Sequence, residues 1–172
     1  MIGPLLLLVL AVLLSAFFSG SETGFYRATR VRLVLDARRG DSIARGLLWL
    51  TNRPTLFVAT TLVGNNVANW LASLAIVMGV HHLFSESSHV PEVIGPIVMA
   101  PVVFLYGELL PKHVFYLAPN RLLRRCGPLL LICTALFLPV SGLLWGISRI
   151  LASLMGSSSR PVQLTLARRE LQ

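Results

Sequence analysis

Glu108 stands in an otherwise apolar run, residues 94–110, followed after two leucines by Pro111 and Lys112. An ionisable side chain at membrane depth is costly unless it is paired or lines a wet cavity, so Glu108 is the first residue to ask for chemistry. Pro111 has no N–H and disfavours helix at the residue before it, which predicts a break or kink just past the carboxylate and free backbone carbonyls nearby. A carboxylate beside carbonyl oxygens suits a hard cation. Two further sets of oxygen donors sit in apolar surroundings. Asn65 and Asn69, in the stretch Gly64-Asn65-Asn66-Val67-Ala68-Asn69, are four apart and project from one helical face. Ser15 and Ser19 are also four apart. Packing alone asks for small hydroxyl residues and single asparagines between membrane helices, but three asparagines in five positions beside a glycine exceed that need. Hydroxyl, amide and carboxylate oxygens are all hard ligands, of the kind a hard cation takes. The soft donors lie elsewhere. Cys126 and Cys133 are seven apart in one apolar segment and read as packing residues, and His81, His82 and His89 are spaced irregularly, as surface histidines are.

The elements that must position these residues are membrane helices. The chain has 172 residues, 55% hydrophobic and only 13% charged, with mean hydropathy +0.74. Soluble domains carry about 25% charged residues, so this is an all-α integral membrane protein. The net charge of +8 does not point to nucleic acid, because the arginines flank apolar runs. Three spans are predicted, at residues 2–24, 55–80 and 93–111, with Pro96 and Pro101 bending the third. No positive segment precedes the first run, which argues against a cleaved signal peptide. Gly20 predicts a kink near its end.

Residues 27–52 alternate arginine with apolar side chains and predict amphipathic helices, broken around Gly40-Asp41, lying on the cytoplasmic membrane face with Trp49 near the headgroups and lipid as the contact. Residues 81–92 read as a polar loop. Residues 120–155 are long enough to span, yet Arg121, Arg124 and Arg125 precede the apolar part, Arg149 interrupts it, Arg160, Arg168 and Arg169 follow it, and Pro139 with Gly142 breaks it. They predict a broken juxtamembrane belt that enters and leaves on the cytoplasmic side. Residues 156–172 read as a linker toward a cytoplasmic domain outside this sequence. Three spans place every Lys and Arg on one side, which predicts a multi-pass protein of the cell membrane with its N-terminus outside and its C-terminus in the cytoplasm.

Three motifs stand in order: Ser15-Ala16-Phe17-Phe18-Ser19-Gly20-Ser21-Glu22-Thr23, Gly64-Asn65-Asn66-Val67-Ala68-Asn69, and Gly107-Glu108-Leu109-Leu110-Pro111-Lys112. Together, over residues 5–169, they resemble the transmembrane (DUF21) domain of the cyclin M and CorB/CorC family. The resemblance implies a homodimeric Mg²⁺ transporter that exports Mg²⁺ in exchange for Na⁺, built of three spans and a juxtamembrane belt, and continuing into cytoplasmic CBS domains that bind ATP. It further implies an ion site made of Ser15, Ser19, Asn65, Asn69 and Glu108, with the Gly107 carbonyl as another ligand. Two other functions compete. An intramembrane serine hydrolase would need Ser15 or Ser19 with Lys112 or His113 as base, but no oxyanion motif accompanies the serines, so no enzyme is expected. A membrane Mg²⁺ sensor that anchors a cytoplasmic domain would use the same ion site without transport.

Overall fold

After Pro4, in its first turn, nothing in the N-terminal segment stops a helix, and it forms α1 (Ile2–Arg27) without interruption at Gly20. The computed structural model describes residues 2–84 and 90–139. Short basic helices follow: α2 (Arg30–Arg38) and α3 (Ser42–Thr51). Gly40 separates them with φ near +90°, a left-handed conformation that glycine adopts without a Cβ penalty. Asp41 then caps α3, its carboxylate accepting from the N–H groups of Ile43 and Ala44 at 3.0 and 3.4 Å, a cap worth about 1 kcal/mol.

The second long element, α4 (Pro54–Phe84), extends beyond the predicted span and takes in His81 and His82, so the start of the predicted polar loop is helical. Helix α5 (Val90–Phe104) contains Pro96 and Pro101 without ending at either. A π-helical turn, Leu105–Leu109, joins it directly to α6 (Leu110–Leu117). The helix break expected at Pro111 is therefore absent: Pro111 falls in the first turn of α6, where a missing N–H is tolerated, and the irregularity lies before it. Helix α7 (Pro119–Leu136) runs from the basic segment into the apolar one. It covers the start of the predicted belt; the remainder of the belt and the tail lie outside the described residues.

Among the described residues the elements are helices only, and three stretches are long and apolar enough to cross a membrane: Ile2–Arg27, Pro54–Leu83 and Val93–Leu117. Their outward faces are apolar. Leu5, Leu6 and Leu13 of α1 and Ile97 and Val98 of α5 are each more than 60% exposed, a surface suited to lipid. A buried apolar cluster lies at the arginine-rich end, where Leu33, Leu47, Leu50, Leu123 and Leu130 close over Phe57, which also stacks on Phe25 with ring centroids 3.7 Å apart. Phe57 is completely buried there. Helix α1 is central, packing on α4, α6 and α7. Where α1 meets α6, Gly20 and Gly24 lie against the ring of Phe115, and a Cβ at either would come within about 2.6 Å of it. Close approach, rather than a kink, is what these glycines provide.

Cys126 and Cys133 are free and partly buried on α7. Two helical turns hold them about 10 Å apart along the axis, beyond disulfide reach. Burial pushes both thiols above their ordinary range, which lowers the thiolate fraction at neutral pH. Maleimide alkylation at pH 7 is expected to be slower in the folded protein than in the chain unfolded with detergent and urea. Equal rates would show that the thiols are not shielded.

Candidate cation site

The predicted polar residues converge although they come from three separate helices. Ser15 and Ser19 are both buried, one turn apart on α1. The Ser15 hydroxyl lies 3.1 Å from Asn65 Oδ1 and 3.4 Å from Asn69 Oδ1, joining α1 to α4. Both amides turn their N–H groups the other way, each donating to Glu108 Oε1 at 3.4 Å. The Ser19 hydroxyl donates to the backbone carbonyl of Glu108 at 3.5 Å. Gly107 is buried against Ser15, and a Cβ there would stand 3.1 Å from the Ser15 hydroxyl oxygen. All six predicted residues are therefore neighbours. Asn66 is not among them: its amide folds back onto the Leu62 carbonyl of its own helix.

The local backbone explains the convergence. In the π turn the Leu110 N–H reaches the Leu105 carbonyl, five residues back, which widens the helix and adds one residue to the turn that carries Gly107 and Glu108. Pro111 offers no N–H, so it cannot form the α-helical bond to the carbonyl of Gly107. On the facing side Gly64 has no side chain, and the ring of Phe18 occupies the space: a Cβ would come within 2.3–2.5 Å of three ring carbons. That contact sets how closely α1 and α4 approach one residue before Asn65.

The electrostatics follow from hydrogen counting. A serine hydroxyl carries one hydrogen, so Ser15 satisfies one amide oxygen and leaves the other unpaired. Two amide oxygens and one hydroxyl oxygen thus face one another, with a carboxylate behind them. Octahedral Mg²⁺ with bonds of 2.0–2.1 Å sets neighbouring ligand oxygens about 3.0 Å apart. The separations of 3.1 and 3.4 Å around Ser15 are close to that edge.

A cleft of about 300 Å³ leads to this cluster between α4 and α5, lined by Asn69, Ser73 and Glu108 with Pro96, Val103 and Phe104. Ser73 escaped the sequence reading, although it follows Asn69 by four residues and so continues the same polar face.

Comparison with known proteins places the chain. The profile of the cyclin M transmembrane N-terminal domain matches residues 6–172. The UPF0053 inner membrane protein YfjD of Escherichia coli K12 is 34% identical over 144 residues, 83% of this chain and 33% of that protein. A UPF0053 protein of Haemophilus influenzae is 30% identical over 110 residues, 63% of this chain and 25% of the relative. The chain thus spans a third or less of the length of these relatives.

Proposed function

We propose, since the chain belongs to the cyclin M transmembrane domain family, that this multi-pass membrane protein moves Mg²⁺ through the cluster of Ser15, Ser19, Asn65, Asn69, Gly107 and Glu108, with Na⁺ as the counter-ion. One observation carries the reading: two amide oxygens from one candidate span lie 3.1 and 3.4 Å from a hydroxyl of another, beside a carboxylate from the third. These are the hard oxygen donors that Mg²⁺ takes. The cleft supports an ion path. Water occupies about 30 Å³ per molecule in the liquid, so some 300 Å³ has room for Mg²⁺ with its six waters. Water is then shed at the cluster, where Glu108 supplies the full negative charge. One carboxylate against a divalent ion keeps retention weak enough for release, as transport requires.

The remaining assignments are part of the proposal. The arginine-rich ends of the three spans face the cytoplasm, which puts the N-terminus outside. Two copies associate. The exposure of Asn69, within a candidate span, supports a second copy or a water-filled cleft beside α4, because an amide facing lipid is costly. Cytoplasmic CBS domains of the longer protein would regulate the flux.

The deciding experiment is flux through the purified chain in liposomes loaded with a Mg²⁺-sensitive dye, under an imposed Na⁺ gradient. Mg²⁺ movement that follows the gradient supports coupled transport. Mg²⁺ binding with no flux would instead identify a sensor or anchor. In the same assay Asn69→Ala and Ser19→Ala each delete one neutral group among several. At about 1 kcal/mol per group, each should weaken Mg²⁺ binding roughly fivefold, and titration of the variants reads this directly.

A further inference from the structure

A second polar feature lies at the arginine-rich end of the bundle, away from the cation cluster. Helices α2 and α3 and the junction of α6 with α7 enclose a groove of about 900 Å³. Its volume falls within the roughly 300–1,000 Å³ usual for ligand sites. Arg32 of α2 and Arg121, Arg124 and Arg125 of α7 line it. Arg124 is committed, pairing with Asp41 at 2.8 Å and so fastening α7 to the cap of α3. Among the described residues Arg32, Arg121 and Arg125 have no ion-pair partner. The carboxylate lining the groove is Asp36, whose nearest base is the exposed Arg39 at 4.0 Å. The N-terminus of α7 borders the same space, and no side chain caps it. The groove is thus strongly positive.

Its floor is apolar: Leu33, Leu47 and Pro128 line it beside the arginines. Its level is also fixed by the chain. Leu117, which lines the groove, ends the third candidate span, and the first and second spans end and begin at Arg27 and Pro54. A positive rim over an apolar floor at the ends of membrane spans matches a molecule with a phosphate and an acyl chain.

We infer that this groove binds the headgroup of an anionic phospholipid, with Arg32, Arg121 and Arg125 on the phosphate and the first part of an acyl chain against Leu33 and Leu47. A soluble phosphate compound shares the arginine chemistry but has no use for the apolar floor.

The test uses the full chain in detergent, titrated with phosphatidylglycerol or phosphatidylcholine and read by native mass spectrometry. The wild type is expected to retain phosphatidylglycerol in preference to phosphatidylcholine. The double variant Arg121→Gln, Arg125→Gln should bind phosphatidylglycerol about 30-fold more weakly, the factor expected for two near-surface arginines, with its helical circular dichroism unchanged. A charge-matched control, Arg38→Gln with Arg45→Gln, removes two exposed arginines outside the groove and should leave retention as in the wild type. Equal loss in the control would reduce the effect to general attraction and overturn the proposal. So would equal retention of the two lipids, or displacement of phosphatidylglycerol by inorganic phosphate or ATP, which would assign the arginines to a soluble ligand.

Discussion

Glu108→Gln is expected to abolish most Mg²⁺ binding and flux while leaving the protein folded. Glutamine keeps the length of the side chain and one oxygen but removes the charge behind two amide oxygens and a hydroxyl. Deleting one charge from a hydrogen-bonded, partly buried pair costs about 3 kcal/mol, roughly a hundredfold in affinity. The neutral amide can also present its NH₂ to Asn65 and Asn69, which donate to the carboxylate at present, so those side chains must reorient as well. Isothermal titration with Mg²⁺ and flux in liposomes check this. Near wild-type flux in the variant would remove the cluster from consideration as the ion site.

Gly64→Ala should be nearly as damaging, for a steric reason. The added methyl meets three carbons of the Phe18 ring at 2.3–2.5 Å, and Phe18 is itself buried against Phe17 and Phe137. Overpacking of this kind costs about 1–3 kcal/mol, and the displaced backbone is the one that carries Asn65. Reduced thermal stability together with weakened Mg²⁺ binding is expected. Phe18→Leu in the Gly64→Ala background makes room for the methyl and should restore much of both. If the double variant is no better than the single one, the α1–α4 approach is not set by this contact.

Much of this arrangement was legible in the sequence, and for identifiable reasons. The four-residue spacings of Ser15 with Ser19 and of Asn65 with Asn69 fix shared faces on any helix, and the structure keeps them. Apolar length located the three spans. The helix ends were less legible, because α1 and α4 continue through polar residues that a hydropathy reading treats as boundaries. Pro111 was misleading for a similar reason: its missing N–H signals an irregular helix, but not on which side the irregularity falls. Gly20 suggested a kink, whereas it, Gly24 and Gly64 each accommodate an aromatic ring from another helix, a contact with no local signal in the sequence. Gly107 was expected to offer its carbonyl, and what the structure displays is the space its missing side chain leaves for Ser15.

The π turn at Leu105–Leu109 has a geometric consequence for the reading frame of the third span. It stores one surplus residue inside a continuous helix, so α5 and α6 are out of phase by the rotation of one residue, about 100°. Removing a single amino acid there would leave an unbroken α-helix of ordinary pitch, and every residue from Val90 to Phe104 would swing by that angle relative to α6. The stripe of Pro96, Ala100 and Val103 that borders the cleft would turn away from α4. In this segment a one-residue deletion is a change of aim for a whole helix, whereas a substitution at any one position changes only a side chain.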